Sequence, residues 1–237
     1  AHLDGLVAWH QAKLDAGFAA ITWPTETGGQ GLTGAHERAF AAIEDQYDLL
    51  PGHELFNVTV KLIAPSIQTH GTPDQRARFA APFLRAEELC CQLFSEPGAG
   101  SDLAAVAMRA RQVDGTWRLD GQKVWTSGAH LAPWGLAVCR TDPSVPKHAG
   151  MTAFLVPLDA PGVEVRPIRQ MSGGSSFTEV FMSDVAIDDS LRIGEIGEGW
   201  KVALTVLGHE RSTSGSSNDR GGSFDQLLSA ARAQGVV

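Results

Sequence analysis

No run of lysine or arginine occurs anywhere in this chain, and 19 basic residues stand against 27 acidic ones for a net charge of -8. A duplex-binding protein needs a concentrated positive face, so nucleic acid is not an expected partner. Apolar runs long enough to span a membrane are missing as well, and none is expected to anchor the chain. The opening AHLDGLVAWHQAKLDAG lacks the charged-then-apolar layout of a secretory signal, which makes a cytoplasmic home the simplest expectation. Because residue 1 is alanine and not methionine, a preceding segment is also expected. Cysteine is scarce: Cys90, Cys91 and Cys139 are odd in number and contain no C-x-x-C. Neither a disulfide framework nor a zinc site follows, and buried small hydrophobes is the reading. The chain also lacks G-x-G-x-x-G, G-x-x-x-x-G-K-[ST] and G-x-S-x-G, which removes the Rossmann, P-loop and nucleophile-elbow readings. Its histidines form no metal pair at helical spacing, and no internal repeat is present.

What is there is enough for a substantial core: 237 residues, 43% hydrophobic. Residues 1–90 read as a helical bundle. Thr72-Pro73-Asp74-Gln75 offers a capping hydroxyl, proline at the first helical position and glutamine three after the cap. HERAFAAIEDQY and ELFNVTVKLIAPSI carry apolar residues at mixed three and four spacing, while WPTETGGQGL interrupts with proline and glycine. From residue 91 to 195 the texture becomes short strands. MRARQVDGTWRLDGQKVWTSG holds Asp-Gly pairs at 114 and 120, each a hairpin signal, and WGLAVCR, MTAFLVPL, VEVRPI and EVFMSDVAI follow. A small antiparallel β-barrel or sandwich is expected there. GEGWKVALTVLGHER returns to helical spacing, with Trp200, Leu204, Leu207 and Arg211 roughly on one side. The fold class is therefore α+β, with residues 196–237 starting a second helical bundle. STSGSSNDRGGS, residues 212–223, reads either as a flexible linker or as a helix whose small residues leave room for something bulky.

Two constellations stand out. In SEPGAGSD, residues 95–102, Pro97 fixes a turn while Gly98 and Gly100 permit dihedrals closed to other residues. Converging backbone N–H groups there suit a pyrophosphate, though a tight turn between two domains explains the same residues. In KVWTSGA, residues 123–129, Trp125 stands beside the hydroxyls of Thr126 and Ser127. A planar heterocycle with polar edges needs that combination, and an ordinary core tryptophan is the competing explanation.

Taken together and in this order, SEPGAGSD, KVWTSGA and GEGWKVALTVLGHER resemble the acyl-CoA dehydrogenase family of flavoproteins. PTETGGQGL and GMTAFLVPLDAPGVEVRPIRQMSGGSSFTEVFMSDVAI look like that family too, so the likeness covers nearly the whole chain. It implies a helical domain, a β-barrel and a second helical bundle, with FAD between the last two. Phe94, Ser95, Gly100, Ser101, Trp125, Thr126 and Ser127 are then the cofactor-binding positions. By the same resemblance Ser95 bonds the pyrimidine side of the flavin and Trp125 lies next to its ring. Ser127 bonds near N5, and Ser101 with the loop amides lies by the phosphates of the cofactor or CoA. Many relatives carry threonine where this chain has Ser95 and Ser127, which keeps the donor and loses a methyl. Glu96 and Asp102 are expected to brace the loop.

The reaction implied is removal of the α-proton of an acyl-CoA thioester with hydride transfer from the β-carbon, giving a trans-2-enoyl-CoA in lipid metabolism. It requires a positioned carboxylate in an apolar, water-poor setting. Relatives hold that base either in the last bundle or immediately before an arginine, which here means Glu210 before Arg211. Glu210 is the candidate base, with Leu207, Val206 and Ala203 as its apolar wall and Arg211 steadying the carboxylate or substrate. A surface Glu paired with solvent or a neighbouring helix is the alternative. The resemblance also implies an electron-transfer flavoprotein as acceptor and an oligomer, usually a homotetramer built through the last bundle, which is cut short at Val237. Other same-fold readings are an acyl-CoA oxidase, a non-catalytic partner subunit, a flavoprotein acting on DNA damage, or an inactive scaffold fragment.

Overall fold

The computed structural model describes residues 2–47, 49–213 and 224–235. The helical part comprises α1 (His2–Asp15), α2 (Gly34–Glu44) and two interrupted helices. The first runs α3 (Glu54–Asn57), a π-helical Val58–Ile63 and α4 (Ala64–His70). The second runs α5 (Pro73–Gln75), a π-helical Arg76–Ala80 and α6 (Ala81–Leu84). Thr72 caps α5 as expected: its Oγ1 accepts from the Gln75 N–H at 3.2 Å, and Gln75 Oε1 accepts from the Thr72 N–H at 2.9 Å. Leu55, Ile63, Ile67 and Phe83 are fully buried and carry this bundle onto the sheet.

The sheet strands are β1 (Cys90–Leu93), β2 (Arg109–Val113), β3 (Thr116–Ser127), β4 (Trp134–Arg140), β5 (Met151–Pro157), β6 (Val163–Ile168), β7 (Phe177–Ile187) and β8 (Arg192–Ile193). Their order is β6-β7-β3-β2-β4-β5-β8, with β1 also on β4. The expected succession of helices, sheet and helix is present, but the sheet differs from an antiparallel barrel in two ways. Both β1 and β2 run parallel to β4, and the ladder among the described residues is an open path. The parallel pairings arise because the chain leaves β1, makes the 94–108 excursion and rejoins further along β4, at Arg140. That excursion holds the first constellation.

Only one Asp-Gly pair makes a hairpin. Asp114 and Gly115, both at positive φ (50° and 80°), turn β2 into β3. Asp120-Gly121 lies inside β3 at a register irregularity, because Gly121 is needed for close approach: a Cβ there would stand 2.8 Å from Met108 Cγ. Two further helices follow, α7 (Gly199–Thr213) and α8 (Phe224–Ala233). Val202, Ala203 and Val206 form the buried face of α7, whereas Leu204 and Arg211 are exposed. The face expected from Trp200, Leu204, Leu207 and Arg211 is thus not the buried one. Gly199 seats the helix so closely on the Thr152 backbone, 2.7 Å from a Cβ position, that the neighbouring small residues turn inward. Of the Ser/Gly-rich stretch, residues 214–223 lie outside the described residues. No helix among the described residues is long and apolar enough to cross a membrane.

Candidate functional site

The excursion after β1 is folded by its own backbone and by one buried carboxylate. Glu96 and Ala99 exchange both backbone hydrogen bonds, at 2.8 and 3.0 Å, closing a turn around Pro97-Gly98. Neither Gly98 nor Gly100 adopts left-handed φ, which corrects the expectation that they serve by unusual dihedrals. Apart from their chain neighbours, no atom of the described residues lies within 4 Å of the Cβ position of either, so the turn's outer side is open to close approach of another molecule.

Beneath the turn, Glu96 Oε2 accepts from the Ala107 N–H at 2.7 Å and Oε1 from the Met108 N–H at 3.0 Å. Lys123 Nζ, fully buried, donates to Glu96 Oε1 at 2.7 Å, to the Phe94 carbonyl at 3.1 Å and to the Val138 carbonyl at 2.7 Å. All three ammonium protons are therefore placed, as a buried charge requires. Glu96 braces the loop, as the sequence reading expects. Its partner Lys123 was not anticipated, yet β3 carries a signal: strand alternation puts Trp117, Leu119 and Lys123 on the inward side, and an inward lysine demands a buried acceptor set. Arg140, at the end of β4, donates to the carbonyls of Ala104, Val106 and Lys147 and fixes the rest of the excursion.

The second constellation is drawn against the first. The Val124 N–H donates to the Ser95 carbonyl at 2.9 Å. Past that bond β3 bulges between Lys123 and Thr126, and Trp125 takes a left-handed backbone with φ 59°. For a bulky residue this is a strained conformation of the kind found at binding sites. Its effect is to lift the indole out of the sheet: Trp125 is 60% exposed, and its one ring contact among the described residues is edge-on with Phe177 at 6.1 Å. The core-tryptophan reading is thereby removed. Thr126 turns inward, and its buried Oγ1 has no hydrogen-bond partner among the described residues. Ser127 is half-buried beside it, and Phe94 is buried at the root of the excursion. Ser101 is exposed on the outer rim, and Asp102 reaches Lys147 Nζ at 3.6 Å.

Ser95, Gly100, Ser101, Trp125, Thr126 and Ser127 thus lie on two segments joined by direct bonds. A flat aromatic ligand with polar edges fits them: an exposed indole offers a stacking face, the half-buried Ser127 carries a hydroxyl two positions further on, and two glycines leave room for phosphate groups. The base candidate is placed otherwise. Burial falls along α7 from Val202 to an exposed Glu210 and Arg211, and Ala203 and Val206 are consumed in packing. Within the described residues Glu96 is the buried carboxylate of this region, and Lys123 engages it. His209 is half-buried, and burial lowers its pKa below the ordinary histidine value.

Comparison with known proteins is consistent with this geometry. Residues 4–87 match the family model for the acyl-CoA dehydrogenase N-terminal domain and residues 91–185 that for the middle domain. Acyl-CoA dehydrogenase FadE34 of Mycobacterium tuberculosis is 43% identical over 222 residues, which is 92% of this chain and 30% of that protein. Acyl-CoA dehydrogenase IpdE1 of the same organism is 43% identical over 208 residues, 87% of this chain and 53% of that one. The solved Tcur3481-Tcur3483 steroid ACAD superposes with a TM-score of 0.80 at 31% identity, over 97% of this chain and 59% of that chain. The chain spans about half the length of most curated relatives it matches, or less. On these matches and this architecture, the chain belongs to the acyl-CoA dehydrogenase family.

Proposed function

We propose that this chain serves FAD-dependent α,β-dehydrogenation of an acyl-CoA thioester carrying a bulky, steroid-like acyl group. The observation that carries the reading is the joined pair of segments, in which the Val124–Ser95 bond sets an exposed Trp125 beside the 95–102 turn. Trp125 provides the stacking face, Ser95 and Ser127 the edge donors, and the Gly98–Ser101 rim the room and donors for phosphates. When bound, FAD supplies the acceptor for hydride from the substrate β-carbon. Glu210 takes the α-proton and Arg211 steadies the thioester or the carboxylate. Closure of the acyl pocket over Glu210 then excludes water and raises its basicity. The steroid-like acyl group is supported by the likeness to a steroid ACAD over nearly the whole chain. An electron-transfer flavoprotein is the proposed electron acceptor, and the working form is an oligomer.

The test is anaerobic addition of acyl-CoA esters to the full-length protein, comparing a steroid-ring thioester with straight-chain ones and following the visible flavin band. Bleaching by the steroid-type ester first, unaltered flavin content in Glu210→Gln and bleaching slowed about 10²–10⁴-fold in that variant are expected. Equal bleaching in Glu210→Gln moves the base elsewhere, for which the exposure of Glu210 provides a specific ground. Fast reoxidation of the bleached protein by oxygen identifies an oxidase in place of a dehydrogenase.

A further inference from the structure

The Glu96–Lys123 pair does more than neutralise two charges. Its bonds reach the backbone at Phe94, Ala107, Met108 and Val138, which belong to the root of the excursion, its far end and β4. Lys123 is also the last regular residue of β3 before the bulge, two positions from the left-handed Trp125. One side chain therefore fixes both the carbonyl next to Ser95 and the point from which the Trp125 backbone departs. Among the described residues the indole itself has little to hold it, being 60% exposed with one edge-on ring neighbour. A strained backbone persists only where its surroundings over-determine it. Here the surroundings are Lys123 on one side, buried Thr126 on the other and the Val124–Ser95 bond between.

We propose that Lys123 is a positioning residue for the flavin ring, acting through the Phe94–Ser95 backbone and the Trp125 bulge without touching the cofactor. The inference rests on the flavin reading above. Lys123 adds a rigid, desolvated anchor below the two segments, so that the ring meets a preset shelf.

The experiment titrates flavin-free full-length protein with FAD, following quenching of flavin fluorescence, and records the visible circular dichroism of the bound flavin. Wild type, Lys123→Met and the double variant Lys123→Met/Glu96→Gln are compared, with urea unfolding of each. Lys123→Met leaves Glu96 charged and buried and is expected to lose stability; the double variant removes both charges and is expected to recover most of it. Flavin affinity is expected to stay at least about tenfold weaker than wild type in the double variant, with an altered dichroism band, because the shelf geometry is still lost. If the double variant regains wild-type affinity and dichroism, the pair serves stability alone and the inference is overturned. If Lys123→Met does not fold, the double variant still decides. Wild-type protein that binds no flavin overturns the flavin reading and this inference with it, whereas tight binding by wild type and double variant alike sinks only the role of Lys123.

Discussion

Gly128 has a φ of 69°, donates its N–H to the Ser176 carbonyl at 3.0 Å, and faces Leu55 so closely that a Cβ would stand 2.9 Å from the Leu55 Cβ. Its two constraints differ in kind: left-handed backbone penalises any side chain, and the Leu55 contact penalises volume. Gly128→Ala is therefore expected to cost about 1–3 kcal/mol in urea unfolding. An unchanged urea midpoint would show that neither the left-handed backbone nor the Leu55 Cβ resists a methyl group there. At this scale the sequence was unevenly legible. Glycine after WTS and serine before EPGAGSD could be named because motif spacing marks them. Lys123 could not be matched to Glu96, since the two are far apart in sequence and meet only once β1, β3 and the excursion are assembled. The positive φ of Trp125 was equally hidden, because a bulge is a product of pairing with β7 and not of local propensity.

Elements show the same division. Strands β4 to β7 and helix α7 were readable because alternation, Pro-Gly punctuation and helical spacing all act locally. Asp120-Gly121 misled because the same dipeptide that makes a hairpin at 114–115 also permits backbone-to-side-chain approach against Met108. The parallel β1–β4 pairing involves strands separated by a long excursion, which no short-range signal encodes. Helix α1 carries a pH dependence of its own. It docks through Leu6, Leu14 and the buried His10, whose Nε2 lies 2.6 Å from the Leu84 carbonyl and whose ring meets Phe56 edge-on. Desolvation lowers the His10 pKa below its usual 6.5, with the positive charges of Lys13, Lys61 and Arg85 acting the same way and the Leu84 bond opposing. The folded state thus binds the proton less readily than the unfolded one. Its contribution is present above pH 6.5 and is lost as pH falls through that value and the lower folded pKa. The protection factors of α1 amides, which compare observed exchange with the intrinsic rate, are expected to fall as pH drops through about 6.5, and His10→Gln to remove that fall. A slope unchanged in His10→Gln would assign it to another histidine.

Across the whole molecule the helical part and the sheet are joined by a few polar bonds set in apolar packing. Gln75 Nε2 donates to the carbonyls of Ser190 and Arg192, each at 2.7 Å. The Thr205 hydroxyl donates to the Lys201 carbonyl and so accepts from His70 Nε2 at 2.8 Å, which joins α4 to α7. The most central link is Thr59, fully buried in the π-helical turn, whose Oγ1 accepts from the Cys90 N–H at 2.9 Å and lies 2.8 Å from the Leu55 carbonyl. Cys90 opens β1, and β1 leads directly into the 94–102 excursion, so Thr59 ties the bundle to the strand from which the candidate site hangs. Thr59→Val keeps the shape and leaves the Cys90 N–H buried without an acceptor, at a cost of about 1–3 kcal/mol. If the two layers are one cooperative unit because of this link, thermal unfolding of the variant should broaden or split. Exchange should then rise first in β1 and the 94–108 segment, ahead of β5 and β7. A single sharp transition, merely shifted to lower temperature, would mean instead that apolar packing of Leu55, Ile63 and Phe83 on the sheet couples the layers without Thr59.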